Sequence, residues 1–276
     1  MTAMTATTSR SHAIVLAMAL VALLAACTGG PQRAATPANE TRDRITASDE
    51  PDAQKRARAR MELASAYFGR GQMTTALDQV KQAIVSDPLY GEAFNLRGLI
   101  YANLGEPVLA EESFKRALQI NARDADSMHN YGWYLCQQKR YAESTALFSQ
   151  AIAVPQYRGA ARTLLAQGVC YAFAGQLAES EATLTRAYEL DPSSPFTATN
   201  LAEVLYRRGE FERARFYVRR VNSLKDVSNA QTLWLAARIE NKLGNRQGSS
   251  EFGSQLRNRF PDSRESAAFA RGEFDE

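Results

Sequence analysis

Histidine and cysteine are almost missing from this sequence: 276 residues carry two of the first and three of the second. That scarcity excludes a disulfide scaffold and leaves almost no material for a metal site. His12 sits in an N-terminal leader, so His129 is the single candidate general base of the body. Cys136 follows it on the same predicted helix at a separation of about 10.5 Å along the axis, too far for a nucleophile–base pair. No phosphate loop, zinc spacing or Gly-x-Ser-x-Gly elbow occurs. Charge of one sign is lacking as well: 33 basic residues face 30 acidic ones, a net of +3. A balance this even does not suit a nucleic-acid partner. The absences together predict a non-enzymatic protein with no catalytic residue, no cofactor, no metal and no nucleic acid.

Long apolar runs are also scarce, and the one present is short. Ala13 to Ala26 carries no charge and follows Arg10. As a helix it would rise about 21 Å, short of a hydrocarbon core of about 30 Å. The pattern reads as a secretory signal over residues 1–26. Its ending, Leu24-Ala25-Ala26-Cys27, resembles the bacterial lipobox, which implies cleavage after Ala26 and acylation of Cys27. Thr28 stands where aspartate commonly retains a lipoprotein at the inner membrane, so the resemblance implies outer-membrane sorting. Residues 27–52, with Pro31, Pro37 and Pro51 and few large apolar side chains, cannot bury enough surface to fold. They read as a lipidated flexible tether with a span on the order of 28 Å.

What is abundant is a period. Small residues at Ala64, Gly98, Gly132, Gly168, Ala202 and Ala237 are 34, 34, 36, 34 and 35 positions apart. Tyr67, Tyr101, Leu135 and Tyr171 follow the first four by three, and turn glycines recur at Gly71, Gly105, Gly175, Gly209 and Gly244. Second-helix positions repeat as Ala76/Val80, Ala110/Phe114, Ser144/Phe148 and Ala214/Val218, and prolines such as Pro88, Pro192 and Pro261 close units. Each unit is therefore two amphipathic helices. The pattern resembles the tetratricopeptide repeat, which implies an all-α superhelix of about six helix–turn–helix repeats over residues 53–263, then a C-terminal tail at 264–276. Glu240 stands where the aromatic is expected in unit 6, which marks that unit as a cap.

A solenoid of this kind exposes a concave face made mainly by its first helices. The pattern places Phe68 there in unit 1, and Asn95, Leu99 and Asn103 in unit 2. Unit 3 contributes His129, Trp133 and Gln137, unit 4 Leu165, Val169 and Phe173, and unit 5 Thr199 and Tyr206. Exposed apolar groups flanked by Asn and Gln suit a peptide from another protein. The run from His129 and Asn130 to Cys136 is densest, with Tyr131, Trp133 and Tyr134 within four residues. Only Gly132 and Leu135 are required by the packing pattern, so this run is the candidate hot spot. Cys136 and Cys170 fall late in adjacent first helices, and either a disulfide between units 3 and 4 or two buried thiols fits. Arg207, Arg208, Arg213, Arg215, Arg219 and Arg220 form a basic run, to be read either as an anionic-surface contact or as the solvated face of a repeat.

Leader, tether and repeats combine with three specific stretches: 130–136 (NYGWYLC), 233–235 (LWL) and 256–263 (LRNRFPDS). Together they resemble the type IV pilus biogenesis/stability lipoproteins, the PilF/PilW pilotins. The resemblance implies an outer-membrane lipoprotein, facing the periplasm, whose partner is the type IV pilus secretin. It implies help for that secretin in reaching the outer membrane and forming its ring, and hence support for pilus stability and twitching motility. The alternative function is a periplasmic scaffold for peptidoglycan or lipopolysaccharide assembly enzymes.

Overall fold

The structure, a computed structural model, describes residues 51–274. The signal, Cys27 and nearly all of the tether lie outside the described residues. Within them the chain forms thirteen α-helices and no strand. Unit 1 pairs α1 (Asp52–Gly69) with α2 (Met73–Ser86), unit 2 α3 (Gly91–Leu104) with α4 (Pro107–Ile120), and unit 3 α5 (Ala125–Gln137) with α6 (Tyr141–Ala153). Unit 4 pairs α7 (Ala160–Phe173) with α8 (Leu177–Leu190), unit 5 α9 (Pro195–Arg207) with α10 (Phe211–Asn222), and unit 6 α11 (Ala230–Lys242) with α12 (Arg246–Arg259). The residues expected as a tail contain α13 (Arg264–Arg271), which packs on α11 and α12.

Each first helix touches its own second helix, the second helix before it and the first helices on either side. The first helices therefore line one face in a row and the second helices back them, as in a tetratricopeptide superhelix. The period of small residues has a direct cause. A Cβ on Gly98 would lie 2.8 Å from the Phe114 ring, one on Gly132 3.0 Å from Phe148, and one on Gly168 2.6 Å from Leu184. In each case the glycine makes room for the large side chain sixteen residues on, in the partner helix of the same unit. Phe114, Phe148 and Leu184 are fully buried as a result, each adding about 1.5–3 kcal/mol of transfer free energy.

Unit 6 inverts this arrangement. Ala237 keeps the small position, but its counterpart is Gly253. The ring of Phe269, from α13, comes within 1.9 Å of where a Gly253 Cβ would be. A side chain from outside the unit takes the place that a second-helix residue holds elsewhere.

Turns between paired helices use left-handed backbone at Gly71, Gly105, Gly175, Gly209 and Gly244, with φ from 73° to 78°. Unit 3 has Lys139 at the equivalent place, at φ 60°. Some helix starts carry side-chain caps: Asp124 accepts from the backbone of Asp126 and Ser127, Ser194 from Thr197, Asn245 from Gly248, and Ser263 from Ser266. Asn229 and Thr232 form a reciprocal capping box on α11.

Candidate functional site

The open part of the concave face lies on units 3 to 5. A recess of about 380 Å³ is lined by His129 and Trp133 from α5, by Arg162, Leu165, Ala166 and Val169 from α7, and by Phe196 and Asn200 from α9. Trp133 is half-buried and packs against Cys136, Phe148 and Cys170, which holds its ring in place. Cys136 and Cys170 form a disulfide, with Cα atoms 5.8 Å apart, that ties α5 to α7 directly beneath the recess. Phe196, in the first turn of α9, is 73 % exposed. A second recess of about 520 Å³ shares Phe196 and Asn200 and adds Thr199, Gln231 and Asp226. A third, of about 340 Å³, shares Thr199, Asn200 and Gln231 and reaches Glu203, Trp234, Arg238 and Glu265. The three make one groove, apolar at units 3–4 and increasingly polar toward unit 6.

Several expected contact residues are placed differently. Trp133, Leu165 and Val169 meet in the recess. His129 touches only its rim: it is buried, with Nδ1 2.9 Å from the Thr163 hydroxyl and its ring against Phe148. Burial, reinforced by Arg162, pushes its pKa down to about 4, so the ring is neutral near pH 7. Asn130 donates to Asn95 at 3.2 Å, joining α5 to α3. Leu99 and Phe68 pack into the hydrophobic clusters of the first units, and Asn103 donates to the carbonyl of Leu99 in its own helix. Gln137 and Phe173 are exposed near the ends of α5 and α7. Tyr206, expected on the open face, is buried beneath the Arg238 guanidinium and donates to the carbonyl of Phe274.

The aromatic run of unit 3 also divides. Tyr131 and Tyr134 are buried and contact Phe114 of unit 2, at 5.4 and 5.5 Å between ring centroids. Their hydroxyls donate to Glu111 and to the carbonyl of Pro107. A helix enclosed by neighbours on several sides buries aromatics in more than one direction, so only Trp133 remains for the groove. Glu111, held by Arg140, Lys115 and Tyr131, has its pKa pulled down to about 2. That carboxylate stitches unit 2 to unit 3.

Four of the six arginines of the basic run form ion pairs, and Arg207 donates to the carbonyl of Ala172. Arg208 and Arg213 both grip Glu181 of α8, at 2.9 and 2.7 Å. Arg213 also pairs with Glu210, and Arg215 with Glu212 at 2.5 Å. Arg219 reaches the buried Glu240 of α11 at 2.6 Å, and Asn245 completes that carboxylate's shell at 2.7 Å. Glu240, the acid in place of an aromatic, is thus a buried clasp between units 5 and 6. Sequence reasoning missed Phe196, Asn200 and Gln231: Phe196 and Gln231 lie more than a turn before the periodic small residues Ala202 and Ala237, and Asn200, two residues before Ala202, is a polar side chain that the packing pattern does not use.

Paired helices, small-to-large packing and an open concave groove define a tetratricopeptide-repeat solenoid. The tetratricopeptide-repeat family profile matches residues 61–127 and 132–195. The chain is 26 % identical over 211 residues to the type IV pilus assembly protein PilF of Pseudomonas aeruginosa, spanning 76 % of this chain and 83 % of that protein. The crystal structure of PilW, described as a widely conserved type IV pilus biogenesis factor, superposes with a TM-score of 0.72 at 33 % identity, covering 78 % of this chain and 98 % of PilW. The structure of Pseudomonas aeruginosa PilF gives a TM-score of 0.71 at 25 % identity, covering 80 % of this chain and all of that one. The chain belongs to the type IV pilus biogenesis family of tetratricopeptide-repeat proteins represented by PilF and PilW.

Among the described residues no helix is long and apolar enough to cross a membrane, and no cluster of His, Cys, Asp and Glu could hold a metal ion.

Proposed function

We propose that this protein is an outer-membrane lipoprotein pilotin for the secretin of a type IV pilus. Acylated Cys27 supplies membrane affinity from the periplasmic side, and several acyl chains give a stable anchor where one would be marginal. Residues 27–52 act as the tether. The groove binds a segment of the secretin subunit and brings it to the membrane, and tethering raises effective concentration without new contacts. Gathering subunits in this way promotes their assembly into the ring and supports pilus biogenesis, stability and twitching motility.

The observation that carries this reading is the open apolar recess of Trp133, Leu165, Val169 and Phe196 in a chain of the pilus biogenesis family. Trp133 is held by the packing beneath it, so little conformational freedom is lost when it meets a partner. The test is co-isolation of secretin in mild detergent together with a gel of heat-resistant secretin multimers. Trp133→Ala is expected to lower both at least tenfold while leaving the protein in the membrane fraction. Cys27→Ala is expected to release the protein and its client from the outer membrane. Normal secretin rings at the outer membrane in cells lacking this protein would overturn the reading.

A further inference from the structure

Beyond the groove's location, its charge says what kind of segment it takes; this inference rests on the groove being the partner site. At the apolar end the one charged lining residue is Arg162, whose guanidinium pairs with Asp126 at 2.7 Å. At the other end Arg238 is likewise engaged, stacked on Tyr206 and donating to the carbonyl of Phe274. The carboxylates there, Glu203 and Glu265 in one recess and Asp226 in the next, have no ion-pair partner among the described residues. Both groove cations are therefore satisfied internally, while three anions face the open groove. Between the ends lie the amides of Asn200 and Gln231. Asn200 donates from its NH2 to the carbonyl of Phe196, at 2.8 Å, which leaves its side-chain oxygen available as an acceptor.

We infer that the groove binds an extended segment that places a large apolar side chain against Trp133, Leu165 and Phe196 and lysine or arginine side chains against Glu203 and Glu265. Spacing follows from the architecture. Neighbouring helices in such a stack stand about 8–10 Å apart, and the two ends are separated by one to two first helices. An extended chain advances about 3.3 Å per residue, so anchor and cation fall about three to six residues apart. An acidic segment of the same shape would meet the three carboxylates and be rejected.

The test uses the full chain in detergent and two short fluorescent peptides, alike in carrying one phenylalanine anchor. One carries two lysines about four residues from the anchor and the other two glutamates. By fluorescence anisotropy the lysine peptide is expected to bind at least about tenfold more tightly, as two partly exposed ion pairs would give. That advantage should shrink in high salt and vanish in the Glu203→Gln/Glu265→Gln double variant, whose thermal unfolding should match the parent's. Equal or tighter binding of the glutamate peptide, no measurable binding of the lysine peptide, or a lysine preference that survives the double variant overturns the inference. If both peptides bind equally and both are lost in Trp133→Ala, the charge inference fails while the groove remains the partner site. If Trp133→Ala changes neither, the groove reading itself fails. If neither peptide binds and Trp133→Ala converts a dimer to a monomer, the occupant is a second copy of the chain and the inference falls.

Discussion

Units 3 and 6 solve the same packing problem in opposite ways. In unit 3, Gly132 on the first helix admits Phe148 from the second, so the unit fills its own interior. In unit 6 the second helix offers only Gly253, and Phe269 of α13 comes in from outside. The concave tryptophans follow suit. Trp133 lines the apolar recess with no other aromatic ring among the described residues stacked over it, whereas Trp234, at the edge of the polar recess, lies against Phe274 at 5.3 Å and Phe269 at 6.3 Å. A concave aromatic is therefore a contact group in the middle of the stack and part of a lid at its end. The last repeat has no following unit to bury its face, and α13 serves as that neighbour.

The sharpest way to break this contrast is to empty the two slots in turn. Phe148→Ala removes a fully buried ring that its own unit supplies and should cost about 3–5 kcal/mol, read as a lowered urea midpoint. Units 3 and 4 should loosen together, because Phe148 also packs on the disulfide.

Acid should strain the middle of the stack next most strongly. His129 is held neutral with its pKa near 4, against an ordinary value of 6.5. Between those values the unfolded chain takes up a proton that the folded chain refuses. This contribution is complete above pH 6.5 and declines as the pH falls toward 4, by about 2–3 kcal/mol. Urea midpoints at pH 7 and pH 4.5 should show the loss, and His129→Gln should flatten it. A variant as acid-sensitive as the parent would mean that other groups dominate.

Phe269→Ala should have a smaller effect, about 2 kcal/mol, because the ring is only half-buried. Its location is the informative part. Amide exchange should accelerate in α11, α12 and α13 while α3 to α8 keep their protection, since repeats couple chiefly to their neighbours. Uniform acceleration would show that the end unit is no separate region.

Much of this contrast was legible in the chain itself. The six small residues, the turn glycines and the proline stops mark the repeats because each answers a steric demand that recurs every 34–36 residues. Trp133 and Leu165 were legible for the same reason, as large apolar groups where the packing asks for none. What escaped was pairwise. Nothing in one-dimensional spacing says that Tyr131 and Tyr134 turn back onto Phe114, that His129 finds Thr163, or that Asn130 bonds Asn95. Likewise, Glu240 reads as a missing aromatic until Arg219 and Asn245 are seen around it. The tail read as an appendage because its role depends on the missing large side chain at Gly253, a departure visible only once the small-to-large pairing of the other units is known.

The smallest expected effect concerns the turn between the paired helices of unit 3, which departs from the equivalent turn of the other units. Five turns carry glycine at φ 73–78°, and unit 3 carries Lys139 at φ 60°. A side chain in left-handed backbone costs about 1–2 kcal/mol relative to its ordinary regions, so Lys139→Gly relieves strain in the folded state. Glycine also gives the unfolded chain more freedom, which takes back about 0.5–1 kcal/mol. The net expected gain is about 0.5 kcal/mol, against a loss of about 1 kcal/mol for the mirror change Gly105→Ala at φ 76°. Paired urea titrations of the two variants check the sign of each. If Lys139→Gly destabilises, the lysine is held there by something other than the turn, and unit 3 departs from its neighbours by more than its open tryptophan.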